Sequence, residues 1–242
     1  MPRYDQHFLR ASAYARKIVA AVQAACEETI VEIGPGRGAL TRYLLELPQP
    51  YIGVEIDPLC LQQLKAEFPL AKAQWVQEDF LRWPLPEQAL YIVSNLPYSI
   101  SGPVLGRILG HRRYIRGGVL MLQAEVAQRL YAVAGTRAYG RLSVLFQSVY
   151  GVERVLRVPP GAFSPMPRVW SEVIRFERRP HIAIEDWEDF AEFVRLSFRQ
   201  PRRTLANNLK ALGRAIPEAL GQRRPHQLPV ATFLELWRQI QK

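Results

Sequence analysis

The short strand-like run Thr29–Ile33 breaks directly into Gly34-Pro35-Gly36-Arg37-Gly38, and no other stretch limits the possible folds as much. Closely spaced glycines after a strand let a ligand approach backbone that a Cβ would otherwise cover. The turn leads into a predicted helix at 39–46, so it opens a strand–helix crossover. The arrangement then repeats. Strands are predicted at 51–55, 73–77, 90–94 and 119–123, and helices at 12–25, 58–68, 103–111 and 124–133. Pro58 fits the first turn of its helix, where a missing N–H costs nothing. Strands apolar on both faces, alternating with helices, predict an α/β fold on a mostly parallel sheet. Two β-rich runs within 141–158 and an alternating run at 171–176 predict an antiparallel edge closing that sheet.

The pattern changes near Arg178-Arg179-Pro180, beyond which every predicted segment is helical: 187–198, 201–212, 217–220 and 230–241. This divides the chain into residues 1–180 and 181–242. Most of the net charge of +10 lies in the last fifth of the chain. From Arg195 onward ten Lys and Arg face two acids, Glu218 and Glu235, which gives +8 and leaves +2 for the rest. A general preference for Arg over Lys does not create a local excess of charge, so the tail predicts a polyanionic partner, most simply nucleic acid. The plain alternative is a solvated charged face. Arg199, Arg202, Arg203, Arg223 and Arg224 are the candidate phosphate contacts. No apolar run approaches the ~18–20 residues of a membrane span. Residues 1–7 lack the charged-then-apolar layout of a secretory signal. Cys26 and Cys60 form no ligand pair and fit packed helical positions. These features predict a cytoplasmic protein with no membrane and no metal.

Glu55 ends the second strand, 21 residues after Gly34, where a carboxylate can bind both hydroxyls of a ribose. NAD enzymes and S-adenosylmethionine enzymes share that device, and Gly34, Gly36 and Ala39 satisfy the loose dinucleotide fingerprint. Asp79, after the third strand, can accept a hydrogen bond from an adenine amino group and favours the adenosyl cofactor. Its ordinary alternative is a loop or helix-capping acid. No residue is placed to handle a hydride acceptor, which disfavours NAD.

The fourth strand ends in Ser94-Asn95-Leu96-Pro97-Tyr98. An exocyclic amine is a poor nucleophile because its lone pair is delocalised into the ring. Acceptors facing both N–H bonds favour pyramidal nitrogen and stabilise the charge that develops during attack. The Asn95 side-chain oxygen and the Leu96 carbonyl are suited to this, with Pro97 fixing the turn and Tyr98 stacking on the base. Methyl transfer from a sulfonium is a direct displacement, for which alignment supplies much of the acceleration. Phe163, in Gly161-Ala162-Phe163-Ser164-Pro165-Met166-Pro167, is a second aromatic suited to the opposite face of a base taken out of its stack. The plain alternatives are an Asn-initiated turn with a packed tyrosine, and a core anchor for Phe163.

With these motifs in hand, the chain resembles the KsgA-type ribosomal RNA adenine dimethyltransferases. The likeness runs through Gln6-His7-Phe8-Leu9, Val31-Glu32-Ile33-Gly34-Pro35-Gly36, Gly53-Val54-Glu55-Ile56-Asp57 and Glu78-Asp79-Phe80. It continues in Ser94 to Ser101, Ala138 to Ser143, Phe163 to Val169, Phe198-Arg199-Gln200 and Thr204 to Leu209. His7 stands where the family more often has Asn, Ser99 replaces the Asn usual after the tyrosine, and Pro201 interrupts the late basic run. The resemblance implies a Rossmann-like S-adenosylmethionine methyltransferase domain with a small all-helical C-terminal domain. It implies N6,N6-dimethylation of two adjacent adenosines in the 3′-terminal hairpin of small-subunit rRNA, within a pre-30S particle, by a protein monomeric off the ribosome. Cofactor contacts are implied at His7, Leu9, Gly34, Glu55, Asp79 and Asn95, with Gly36 in the same turn. The base would be held by Asn95, Leu96, Pro97, Tyr98 and Phe163. The neighbouring possibilities are a large-subunit rRNA adenine methyltransferase of the antibiotic-resistance branch and a non-catalytic RNA-binding assembly factor.

Overall fold

A computed structural model describes residues 7–23, 27–69, 72–180, 184–210, 213 and 216–241. Gln6, Cys26, Arg214, Lys242 and the predicted helical ends at 24–25 and 211–212 lie outside the described residues. The runs that are apolar on both faces form the middle of a seven-stranded sheet. Its strands are β2 (Thr29–Ile33), β3 (Tyr51–Glu55), β4 (Ala73–Gln77), β5 (Leu90–Asn95), β6 (Ile115–Gln123), β7 (Tyr150–Val158) and β9 (Ser171–Arg178). They lie in the order β4-β3-β2-β5-β6-β9-β7. Strands β4 through β6 in that order are parallel, and β9 runs antiparallel to β6. The α/β class and the antiparallel closure expected from the sequence are both present.

The chain winds outward from β2 in both directions, to β3 and β4 on one side and to β5 and β6 on the other. Ligands of open α/β sheets bind outside the carboxyl ends of the strands at such a reversal. Helix α1 (Ser12–Gln23) precedes β2, crossovers run through α2 (Thr41–Leu44), α3 (Pro58–Glu67) and α4 (Ser101–Gly110), and α5 (Ala124–Tyr131) follows β6. Asp57 caps α3 by accepting from the Leu59 N–H at 2.9 Å, with Pro58 in the first turn as expected. Ile18 and Val22 of α1 pack with Ile30, Tyr51, Val93, Val119 and Val173 in one core. A further ladder, absent from the sequence reading, pairs β1 (Phe8–Leu9) with β8 (Phe163–Ser164).

The chain divides into two compact units, residues 1–127 with 152–178 and residues 128–151 with 179–242. The division read from the sequence, at 180, differs in leaving 128–151 with the first part. That stretch also holds a corrected element, because residues 141–147 form helix α6 (Arg141–Gln147) and not a β-rich run. Short apolar runs fit either period, and local packing decides between them. The Ser143 hydroxyl accepts from the Gly140 N–H at 3.0 Å and donates to the Arg129 carbonyl at 2.6 Å, while Gln147 donates to the carbonyls of Leu130 and Ala132. The second unit continues with α7 (Trp187–Ser197), α8 (Leu205–Leu209), α9 (Glu218–Gly221) and α10 (Val230–Gln241). Helix α8 is shorter than the predicted 201–212, since the residues after Pro201 form a turn that Thr204 ends by capping. Phe190 meets Trp237 edge-on at 5.5 Å and Phe198 stacks on Phe233 at 5.6 Å, which supplies this unit with an aromatic core.

Candidate active site

Gly34 and Gly36 adopt φ of +62° and +57°, conformations that side chains rarely take. The Gly34 N–H donates to the Val54 carbonyl at 2.9 Å, and the Gly36 N–H donates to Glu55 Oε2 at 2.8 Å. Glu55 Oε1 accepts from the Asp57 N–H at 2.9 Å. The turn after β2 and the acid ending β3 are therefore one hydrogen-bonded unit. Burial raises the Glu55 carboxyl above its ordinary range, opposed by the N–H groups of Asp57 and Gly36. A Cβ built on Gly34 meets no atom within 4 Å and would project into open space. That space belongs to a cavity of about 420 Å³ at the carboxyl edge of the sheet, within the usual range for small-molecule sites.

The end of β5 forms the far wall. Ser94 donates to the Ile33 carbonyl at 2.6 Å and ties β5 to the glycine turn. The Asn95 amide nitrogen donates to the His7 carbonyl at 3.0 Å. A carbonyl can only accept, so it fixes which end of the amide faces it and leaves the Asn95 oxygen for another donor. The Pro97 carbonyl accepts from the Ile100 N–H and the Ser101 hydroxyl, whereas the Leu96 carbonyl meets no donor among the described residues. Two acceptors, Asn95 Oδ1 and the Leu96 carbonyl, thus remain in one short turn. The Tyr98 ring lies 5.2 Å from the His7 ring, and its hydroxyl shares a 2.8 Å hydrogen bond with Ser171.

The cavity brings together the predicted cofactor residues His7, Leu9, Gly34, Gly36, Glu55 and Asp79, and with them Asn95, Leu96, Pro97 and Tyr98. Asp79 Oδ1 also accepts from the Leu81 N–H at 2.9 Å, so the loop-capping alternative describes one of its two oxygens. Phe163 departs from expectation. It is buried, packed in the core and not among the residues lining the cavity, because pairing with Leu9 commits it to the β1–β8 ladder.

Four residues escaped the sequence reading. Phe8 lines the cavity and carries the Arg37 guanidinium 4.5 Å over its ring. Glu32, fully buried at the end of β2, accepts from the hydroxyls of Tyr51 at 2.5 Å and Thr41 at 2.8 Å through the same oxygen. Burial pushes its carboxyl up to about 7 against those two hydrogen bonds, with Glu55 adding a like charge. Arg107 of α4 holds the loop after Asp79 by donating to the carbonyls of Leu81 and Trp83. Ser171 orients Tyr98. Glu32 stands inside the glycine motif and was legible as an acid, but the others act through contacts that spacing does not reveal. Cys60 is buried in α3 and its thiol is pushed up to about 11 by burial, which leaves it inert near neutral pH. Among the described residues no cluster has the make-up of a metal site, and no helix is long and apolar enough to cross a membrane.

Arg199, Arg202, Arg203, Arg223 and Arg224 all lie exposed in the C-terminal unit. Buried Asn208 shapes the backbone beneath them. It accepts from the Gln200 N–H at 2.8 Å and donates to the carbonyls of Gln200 and Thr204. The Leu205 N–H donates to the Arg223 carbonyl at 2.7 Å, which brings the 202–203 and 223–224 pairs onto neighbouring turns. Arg195 is committed elsewhere, in a two-bond pair with Glu192.

The family model for ribosomal RNA adenine dimethylase matches residues 1–227. The chain is 38% identical over 241 residues to the ribosomal RNA small subunit methyltransferase A of Chlorobium limicola, covering 97% of this chain and 91% of that one. In fold it is similar to a dimethyladenosine transferase from Plasmodium falciparum, with a TM-score of 0.86, 23% identity and coverage of 97% and 98% of the two chains. It is also similar to the 23S rRNA methyltransferase ErmE, with a TM-score of 0.73, 24% identity and coverage of 97% and 100%. These two likenesses show the fold, and the sequence match extends along nearly the whole of the Chlorobium limicola relative. The chain belongs to the ribosomal RNA adenine dimethylase family.

Proposed function

We propose that this protein is an S-adenosylmethionine-dependent methyltransferase that dimethylates N6 of adenosine in ribosomal RNA. Its substrate is the pair of adjacent adenosines in the 3′-terminal hairpin of small-subunit rRNA, presented by a pre-30S particle late in assembly. The protein acts in the cytoplasm and is monomeric off the ribosome. The observation that carries this reading is the Asn95 amide, whose nitrogen is occupied by the His7 carbonyl, so that its oxygen is available beside the Leu96 carbonyl.

The residues suit an adenosyl sulfonium. Glu55 receives the ribose hydroxyls, Asp79 the adenine amino group, and the bare backbone at Gly34 admits the ligand. When bound, S-adenosylmethionine supplies an electrophilic methyl group. The protein's part is to aim the amine at it. Asn95 Oδ1 and the Leu96 carbonyl accept the two N–H bonds of the adenine amine and stabilise the positive charge that grows on nitrogen. Tyr98, braced by Ser171 and flanked by His7, stacks on the base. The exposed arginines of the C-terminal unit contact phosphates and position the hairpin without reading its bases.

Incubation with radiolabelled S-adenosylmethionine and unmethylated small subunits, followed by mapping of the labelled nucleotides, tests this reading. Label is expected on the two adjacent adenosines. Label on a large-subunit adenosine would transfer the protein to the resistance branch. Subunit binding without label would make it a non-catalytic assembly factor.

A further inference from the structure

The loop from Pro165 to Trp170 is tied at both ends to the surroundings of Tyr98. At its start, the Pro165 carbonyl lies 2.8 Å from Nδ1 of His7, whose ring packs near Tyr98. At its end, Ser171 bonds the Tyr98 hydroxyl. The loop therefore borders the base site, yet it carries exposed apolar side chains. Met166 is 68% exposed, Val169 43% and Trp170 46%. The backbone of Trp170 is fixed as well, since its carbonyl accepts from the Ala124 N–H at 2.9 Å just beyond the end of β6. In the register of the sheet, Asn95 aligns with Met121 and Ser171 with Gln123. Trp170 thus stands beyond the same carboxyl edge as Asn95, two strands over and three residues further along, which is roughly 14 Å at the usual strand spacing and rise.

A large aromatic is rarely left in water beside a site without a partner for its face. The Arg157 guanidinium lies 5.0 Å over the Trp170 ring and is held there by Glu172, 3.2 Å from Arg157 Nε. With that cation in place nearly half of the Trp170 surface still meets solvent. Arg168, on the same loop, is exposed too. An aromatic face, a guanidinium stacked on it and further positive charge form the combination by which proteins hold unpaired bases, where stacking supplies the energy and cations meet the backbone.

We propose that Trp170, backed by Arg157, is a stacking platform for the unpaired nucleotide that flanks the adenosine entering the cavity. This rests on the reading of the protein as an RNA adenine methyltransferase and deepens it. One base enters at Asn95 and its neighbour is caught outside, which registers the strand on the enzyme one nucleotide from the target. Tyr98 holds the reacting base, and Trp170 selects for a single-stranded segment around it.

The test uses the full chain, S-adenosylmethionine and unmethylated small subunits, with Trp170→Phe and Trp170→Leu beside the wild type. The Leu variant keeps an apolar side chain and removes the ring, whereas the Phe variant keeps a ring. The Leu variant is expected to raise KM for subunits about 5- to 150-fold, the range for removal of one base–aromatic stack. The Phe variant should recover most of that effect, and cofactor affinity should be the same in all three proteins. A hairpin RNA with 2-aminopurine beside the target should fluoresce more strongly on the Leu variant than on the wild type, because stacking quenches the probe. Equal KM and equal probe emission for wild type and the Leu variant would overturn the platform while wild-type labelling leaves the enzymatic reading standing. If the wild type labels no adenosine, that reading fails first and the platform falls with it.

Discussion

The backbone N–H of Gly36 donates to the Glu55 carboxylate at 2.8 Å, joining the turn after β2 to the last residue of β3. Two elements separated by a helix are locked by one acid, and the Asp57 N–H fixes the other oxygen of that acid. Glu55 is thus aimed before any ligand arrives. A preorganised carboxylate loses little freedom on binding, so the ribose contacts proposed for Glu55 would count nearly in full.

Replacement of Glu55 by Ala should weaken S-adenosylmethionine binding by roughly 1.5–3 kcal/mol, the range for hydrogen bonds to a charged group. Isothermal calorimetry on a variant with a wild-type circular dichroism spectrum measures this. Unchanged affinity would remove Glu55 from the cofactor site.

Asn95→Ala separates chemistry from binding. Turnover should fall by a factor on the order of 10²–10³, as when one positioned stabilising group is removed. Affinity for the subunit should change far less, and cofactor affinity only slightly. Single-turnover methylation at saturating cofactor reads the chemical step, and near-normal turnover would end the acceptor role.

Glu32 gives the protein a distinctive pH profile. Its carboxyl titrates near 7 in the folded chain and near 4.5 when free of it. Below about 4.5 both states are protonated and the group has no effect. Between the two values the unfolded carboxyl ionises while the folded one stays neutral, so stability falls as pH rises and stays lowered above 7. The decrease attributable to Glu32 is about 3 kcal/mol. Glu32→Gln should therefore narrow the stability difference between pH 5 and pH 8, as measured by urea denaturation of both proteins at each pH. Parallel profiles for the two would show that Glu32 ionises normally.

The basic face is tested by salt. Changing Arg202, Arg203, Arg223 and Arg224 together to Gln removes four charges while keeping much of the side-chain bulk. Subunit binding should weaken at physiological salt. The slope of log K against log salt should become shallower by roughly 0.7–0.9 for every phosphate that is no longer neutralised. Cofactor affinity should stay constant. An unchanged slope would mean a solvated face and would move the RNA footprint to the sheet-bearing unit.

The sheet was legible because burial on both faces writes itself into β2, β3 and β5 as mostly apolar runs with few polar interruptions. The glycine turn was legible because glycine at positive φ has few substitutes. Arg141–Gln147 was not, since a short apolar run carries no decisive period and its helix depends on Ser143 and Gln147 reaching back to α5 and the residue just beyond it. Phe163 shows the limit for sites. An aromatic in a proline-rich loop serves equally well in a core or over a ligand, and the β1–β8 pairing that settles its place joins stretches with no mark of their affinity. The bond from Asn95 to the His7 carbonyl was equally hidden, because any residue at position 7 offers the same backbone oxygen.

That bond has a consequence for the timing of activity during synthesis. His7 is held by the β1–β8 ladder and by its contact with Pro165, 158 positions away. While the chain is being translated, the glycine turn, Glu55 and Asn95 all emerge before residue 164 exists. A nascent chain can assemble the strands of the cofactor crevice, but it has no ladder to seat the carbonyl that turns the Asn95 amide. The Asn95 turn takes its final form only when Phe8 and Leu9 find Phe163 and Ser164, made long after them, so an unfinished chain carries the parts of the site without its aim.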